Sequence, residues 1–389
     1  MMQSRESADA ASSRDPLRVL IAGGGVAGLE AAFALREFAG DRVNLRILAP
    51  GAEFVYRPMA IGEPFTSGHA RRYPLTDLTA AAGAELVSGA LAGVDPARRE
   101  VTTSTGETLA YDALLVCPGA TPHHPYEHTT RFDDAHLDEL LHGLVQDVEE
   151  GYVRRLAIVV PAPMPWPLPA YELALMASER AWDMRAEMDL VVFTPETAPL
   201  AVFGAEASKQ LSRLLAARRV DVVTSAYCEI PQAQTIVVHP GGRVERADRI
   251  VSLPALSGPG IAGLPQDGDG FIPVDEYGAV AGLDAVWAAG DATDYPLKQG
   301  GVAAQLADTA ALGVAALAGA DVQPQPFSPT FQGVLLTGGR RRYVYGGQSA
   351  AGRDASGLTA LEHGEQVPKI AARFLSPHLG LDQPGVRIA

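Results

Sequence analysis

The chain has 389 residues, nearly half of them apolar, enough for two or three domains of ordinary size with substantial cores. Its net charge of −15 argues against a nucleic-acid partner. Its two cysteines, Cys117 and Cys228, lie far apart and form no C-x-x-C, so no redox disulfide can be assigned from local spacing. No stretch approaches the apolar length that spans a bilayer; the best, Ala303 to Ala320, carries Asp308 and reads as an amphipathic helix. Residues 1–15 lack the apolar core of a signal peptide and read as a disordered tail, so the expected home is the cytoplasm.

Leu17 to Ala22 is a strand-like apolar run that leads into Gly23-Gly24-Gly25-Val26-Ala27-Gly28 and then a helical stretch, Leu29 to Phe38. This is a G-x-G-x-x-G turn between a strand and a helix. Gly23 permits the tight turn, Gly25 lets backbone approach a pyrophosphate, and Gly28 lets the helix pack on the strand; the Val26 and Ala27 amides then face the phosphates. A second strand is expected at Val43 to Leu48. The position that usually supplies an acid for ribose hydroxyls holds Ala49 or Pro50, and the nearest acid is Glu53. Strands follow near Glu85 to Ser88, Glu100 to Thr103 and Ala113 to Val116. A second unit alternates strand and helix: Leu156 to Val160, Tyr171 to Trp182, Leu190 to Phe193, Glu206 to Arg218, Asp221 to Thr224. Ala285 to Ala288 reads as a buried strand delivering Gly290-Asp291 to a loop. Strands near Gly333 to Leu336 and Arg342 to Tyr345 lie in a C-terminal stretch that, from Gly338 on, carries +3 against −18 for the rest.

The N-terminal glycine turn and the distal Gly290-Asp291 together resemble the FAD-dependent pyridine nucleotide-disulfide oxidoreductase superfamily. An ordinary NAD-binding domain leaves the second motif unexplained. Tyr111-Asp112-Ala113-Leu114-Leu115-Val116-Cys117-Pro118-Gly119-Ala120 resembles the stretch that closes the first FAD segment of that family, which places Cys117 and Gly119 beside the cofactor. The resemblance implies α/β architecture with two Rossmann-like domains: residues 16–121 and 254–322 forming the FAD domain, 122–253 the second domain, and 323–389 a C-terminal interface region. It implies that Asp291 accepts a ribityl hydroxyl. It also implies that Arg57, in Glu53-Phe54-Val55-Tyr56-Arg57-Pro58, lies along the FAD, where its guanidinium can pair with a phosphate; the alternative is a surface arginine beside a turn proline. Lys298 and the Gly300-Gly301 amides at the next helix start are placed to stabilise negative charge on the reduced ring, with Lys298 facing the ring or the substrate.

Where a nicotinamide-binding domain carries its own glycine turn, this chain reads Val160-Pro161-Ala162-Pro163-Met164-Pro165-Trp166-Pro167-Leu168-Pro169-Ala170-Tyr171-Glu172. Five alternating prolines offer no amides to a pyrophosphate and favour a stiff, extended segment. The stretch is similar to the Pro-rich loop of sulfide:quinone oxidoreductases and flavocytochrome c sulfide dehydrogenases, but the reactive cysteine those enzymes place there is missing. Both cysteines of this chain read as small buried residues instead. Five of nine histidines fall between His123 and His142. His123 or His124 would act as a proton relay if that loop faces the flavin; the alternative is a solvated linker with incidental histidines. No His/Cys/carboxylate spacing fits a metal. Val367 to Leu375 reads as a short amphipathic helix, serving a dimer contact, the core, or a peripheral membrane contact that admits quinone.

The expected activity is two-electron transfer from a small-molecule donor through FAD to a quinone or other acceptor. Two alternatives stay open: an NAD(P)H:acceptor reductase with a non-standard nicotinamide site, and a non-catalytic flavin-binding subunit that engages a partner protein.

Overall fold

Two five-stranded parallel sheets organise the chain in a computed structural model that describes residues 15–346, 356–362 and 367–381. The first sheet runs Val286–Ala288, Ala113–Val116, Leu17–Ala22, Val43–Ala49, Ala84–Ser88. The second runs Thr130–Arg131, Arg249–Ser252, Arg155–Val159, Asp189–Phe193, Val220–Val223. An antiparallel pair, Thr121–His123 with Ala255–Ser257, carries the chain between them. The fold class is the expected one.

The inner strands of the first sheet are largely apolar because both faces are covered, while the edge strand Ala84–Ser88 is partly exposed. Val19, Ile21, Leu45 and Ile47 point one way, into the helices Val26–Ala39 and Gly300–Leu317. Leu20, Ala22, Leu48 and Leu114 point the other way, onto Val94, Val101 and Leu109 of a three-stranded antiparallel sheet. This alternation is the two-residue period of a strand expressed in packing.

Three expectations need correction. The segment between the two units is not simply a loop: Leu137–Glu149 is a helix whose Leu137, Leu141, Leu144, Val145 and Val148 form its buried stripe. His136 stands at its N-cap beside Asp133 (2.9 Å), and His142 lies 3.6 Å from Asp138 on its outer face. Second, Val367 to Leu375 forms no helix. It is an irregular strap whose Ile370, Ala371, Ala372 and Leu375 are nonetheless buried, because backbone groups along it are satisfied by side chains of the first unit. Third, Gly300–Leu317 is, at 18 residues, long and apolar enough to cross a membrane by composition alone. Here 61% of it is buried against the first sheet and the Val26–Ala39 helix. The residues expected to form a disordered tail lie, except Asp15, outside the described residues, as do Arg353 and Arg387 of the basic C-terminal stretch.

The strap is fastened at a carboxyl pair. Glu30, fully buried, accepts the Phe374 and Leu375 N–H groups at 2.9 and 2.6 Å, and Asp308 faces it from the Gly300–Leu317 helix. Burial raises both carboxyls, Glu30 to about 7 and Asp308 to about 9, the latter pushed further by the Glu30 charge and only partly offset by Arg373. Folded-state values above the unfolded ones mean that the folded chain keeps protons the unfolded chain has released. Stability from this pair is therefore present at low pH and lost as pH rises from the ordinary carboxylate range toward 9. Asp308→Asn keeps the shape without the charge. Its melting temperature at pH 9 should exceed the parent's by roughly 3 °C or more, with little difference at pH 5; equal pH slopes in a thermal-shift series would refute the assignment.

Candidate functional site

In a parallel sheet the loops after successive strands gather at one edge, and here three of the sequence motifs do so. Gly23–Gly28 follows Leu17–Ala22, Cys117–Gly119 follows Ala113–Val116, and Gly290–Asp291 follows Val286–Ala288. The three glycines of the turn have distinct reasons. A Cβ at Gly23, where φ is +137°, would lie 2.0 Å from the Cys117 carbonyl oxygen. At Gly28 it would lie 1.9 Å from the Gly23 carbonyl oxygen. At Gly25 it would meet nothing within 4 Å, so the first turn of the Val26–Ala39 helix faces open space. Gly25 caps that helix without a side-chain bond, and the first helical bond is Leu29 N–H to the Gly25 carbonyl, leaving the Val26, Ala27 and Gly28 amides free of helical partners.

Gly290, at φ +78°, packs against Ala27 and Ala303, which brings the Asp291 loop to the same helix start. Asp291 is half-buried and takes no hydrogen bond from any described residue. Burial raises its carboxyl to about 6, opposed by the Lys298 charge. Gly119 lies at φ +81° on an open lip. The Gly300–Leu317 helix is capped by Gln299, whose side chain accepts the Val302 N–H at 2.8 Å. Gly300 and Gly301 have no room for side chains because Ile370 and Gln299 press on them. Lys298 is turned inward: its ammonium donates to the Thr293 and Tyr295 carbonyls and lies 3.9 Å from the centre of the Phe271 ring. Burial lowers it to about 8 despite Asp291 and Asp294.

The remaining predicted residues are spread more widely. Arg57 opens a 3-10 helix, Arg57–Phe65, and pairs with Asp134 at 2.9 Å. Glu53 pairs with Arg72 across the Glu53–Tyr56/Arg71–Pro74 hairpin at 3.3 Å. Cys117 is buried, and its thiol is pushed up to about 12 by that burial. His123 is exposed on the Thr121–His123 strand. His124 is half-buried with Nδ1 enclosed and unpartnered; burial, then the Arg131 charge, lowers its pKa.

In the second unit, the five-proline segment connects Arg155–Val159 to the Leu168–Asp183 helix, whose N-cap is Pro167. The Pro165 carbonyl accepts the Lys298 N–H at 3.4 Å, and Trp166 packs 5.7 Å from Phe203. Sequence reasoning missed Glu196, just past the end of Asp189–Phe193. That is the edge of the second βαβ unit where a nucleotide-binding domain offers an acid to ribose. Its carboxylate is already engaged by the Tyr171 hydroxyl at 2.6 Å and Thr194 at 3.1 Å. It also missed Lys369, whose ammonium meets both Glu172 oxygens at 2.7 and 2.9 Å and the Pro58 carbonyl at 2.8 Å. Burial pushes the Glu172 carboxyl up and the Lys369 ammonium down, and each charge opposes the other's shift. The scarcity of lysine was the available signal: Lys369 is one of three.

A helix start with free amides in front of an open glycine, and an unpartnered half-buried carboxylate on the adjoining loop, suit a dinucleotide with a polyhydroxyl chain. The fold and this edge define a dinucleotide-binding flavoprotein. Residues 17–159 and 169–311 match the pyridine nucleotide-disulphide oxidoreductase family. The chain belongs to that family and is an FAD-dependent oxidoreductase. Its fold is similar to that of sulfide:quinone oxidoreductase from Aquifex aeolicus, with a TM-score of 0.77 at 18% identity over 88% of this chain and 87% of that one. A ferredoxin reductase from Rhodopseudomonas palustris gives 0.63 at 18% identity, covering 86% and 83%. A NAD-dependent persulfide reductase from A. fulgidus gives 0.60 at 20% identity, covering 86% and 65%. No curated protein matches the chain by sequence.

Two glycine variants separate the cofactor face from the fold. Gly25→Val projects into open space, so its melting temperature should stay within about 2 °C of the parent after flavin removal. Its flavin content, read from the visible-to-ultraviolet absorbance ratio, should fall at least about tenfold. Gly28→Ala should instead lower the melting temperature itself. Full flavin retention by Gly25→Val would sink this placement.

Proposed function

We propose that this flavoenzyme takes two electrons from a small-molecule donor other than a nicotinamide and passes them through FAD to a quinone or another acceptor. The observation that carries this reading is the closed nucleotide edge of the second unit. Prolines replace the amides that would hold a pyrophosphate, and Tyr171 occupies the acid that would hold a ribose. The fold likeness to sulfide:quinone oxidoreductase favours quinone as acceptor and a peripheral membrane contact for reaching it.

Within this reading Gly23, Gly25 and Gly28 shape the pyrophosphate cradle, and Val26 and Ala27 supply its amides. Asp291 accepts a ribityl hydroxyl, and Gly119 leaves the lip of the crevice open. Gly300 and Gly301 present the positive end of the long helix. Bound FAD supplies the two-electron acceptor. Lys298 is a positioning residue: with two of its three N–H groups committed to Thr293 and Tyr295, it holds the Asp291 loop in shape. Arg57 acts through Asp134, tying the 3-10 helix to the turn that precedes the Leu137–Glu149 helix. His124, whose enclosed Nδ1 has no partner among the described residues, is the proton acceptor this reading assigns. Neither cysteine supports sulfur storage. Cys117 is sealed beneath the glycine turn and Cys228 sits on a strand of the second unit, with both thiols pushed up to about 12.

The test is an anaerobic spectral titration of the purified yellow protein with NADH, NADPH and sulfide in separate runs. Neither nicotinamide should bleach the flavin at stoichiometric concentration. Prompt bleaching by either would replace this reading with a nicotinamide-dependent reductase. Bleaching by sulfide would show that a donor of that chemistry needs no cysteine here.

Lys298→Met should weaken FAD binding about tenfold through loss of two charged hydrogen bonds, measured by flavin fluorescence on dilution. An unchanged dissociation constant would remove the positioning role.

A further inference from the structure

A cavity of about 300 Å3 opens beside the strap, lined along it by Val367, Pro368 and Lys369. Its polar lining is cationic: Arg71 reaches it from the Arg71–Pro74 strand and Arg341 from just before the Arg342–Gly346 strand, and His69 completes that wall. Neither guanidinium has a hydrogen bond or an ion pair with any described residue, whereas the neighbouring Arg72 is paired with Glu53. Lys369 also lines the cavity, but its charge is already matched by Glu172 and so neutralises nothing further. No described acidic residue lines the cavity. The rest of the wall is apolar, with Met59, Val367 and Leu381.

Two guanidinium groups without a partner among the described residues, set around one hollow, repel each other, and an anion between them turns that repulsion into charge-assisted hydrogen bonds. The apolar wall excludes a bare inorganic ion as the best occupant, since it would leave that surface wet. The volume, at the small end for ligand sites, suits a body of roughly a dozen heavy atoms. We propose that this cavity binds a small amphiphilic anion, a carboxylate, sulfonate or phosphate head on a short apolar body, held by Arg71 and Arg341.

This site is distinct from the FAD edge but shares a wall with it. Tyr56 lines the cavity and its hydroxyl accepts the Ile370 N–H at 2.9 Å, and Ile370 packs directly on Gly300 at the start of the long helix. An anion seated against Tyr56 and Lys369 therefore presses on the segment that covers that helix start. The site needs no assumption about the electron donor, and its test reads binding rather than turnover.

Octanoate is the probe, titrated calorimetrically into the FAD-loaded protein, with octan-1-ol as the neutral control of equal length. Vesicles of phosphatidylglycerol and of phosphatidylcholine test whether the same head chemistry comes from a lipid. Octanoate should bind at least tenfold more tightly than octan-1-ol. Arg71→Gln with Arg341→Gln should abolish that preference while leaving the flavin spectrum and melting temperature unchanged, since both side chains are exposed. Preferential binding of phosphatidylglycerol vesicles without octanoate binding would support the anion chemistry and assign its source to lipid. Equal binding of octanoate and octan-1-ol would make this an apolar cleft and overturn the proposal. So would anion binding that survives the double substitution, and so would no binding of octanoate or of phosphatidylglycerol.

Discussion

An ammonium group taken out of water must find its charge matched inside the protein, and the Lys369–Glu172 pair sets how the pieces of this chain fit. Both side chains are almost fully buried, at 5% and 2% exposure. Every remaining bond on them comes from a different part of the fold. Glu172 belongs to the first helix of the second unit and accepts the Leu336 N–H at 2.8 Å, while Lys369 reaches across to the Pro58 carbonyl of the first. Losing one partner alone leaves an uncompensated buried charge, which costs on the order of 3–5 kcal/mol, comparable to much of a domain's net stability. The pair is therefore less a source of stability than a lock on arrangement. The strap, the second-unit helix and the Arg57–Phe65 segment can meet in only one register.

From that lock the strap continues along the first unit, and its irregular backbone is held by side chains throughout. Tyr56 takes the Ile370 N–H, Glu30 takes Phe374 and Leu375, and the Tyr73 hydroxyl donates to the Leu379 carbonyl at 2.9 Å. His378 stacks on Phe33 with ring centres 3.8 Å apart. A helix would have satisfied its own amides and left these groups unpaired. Tertiary partners more than 300 residues away in sequence thus decide the local conformation, and an amphipathic pattern over nine residues does not carry that information.

The parts that were legible in the sequence are those fixed by local chemistry. Gly23, Gly25 and Gly28 are demanded by one strand-to-helix turn, and their separate reasons follow from backbone contacts within a few residues or to the adjoining strand. The apolar runs of both sheets mark buried parallel strands whatever surrounds them. Leu137–Glu149 carries a readable apolar stripe at helical spacing, with His142 on its outer face. What stayed illegible is pairing at a distance. Nothing near Arg57 announces Asp134, nothing near Tyr171 announces Glu196, and the inward turn of Lys298 depends on carbonyls freed by the irregular path of residues 293–295.

The two units have solved the same strand-to-helix junction in opposite ways. In the first, glycine removes side chains so that backbone amides are bare. In the second, proline removes every other amide, including that of Pro169 in the helix's first turn, so no run of adjacent N–H groups is left for an anion. The consequence reaches the first unit. Because Pro165 presents its carbonyl to the Lys298 N–H, the segment that would have wrapped a second nucleotide now buttresses the loop joining Asp291 to the long helix. Restoring glycines there would therefore not simply regain a nucleotide turn: it would loosen the support of the Asp291 loop, since a flexible segment does not hold its carbonyl in place. On the proposed reading, closure of one cofactor edge and rigidity of the other are a single structural fact.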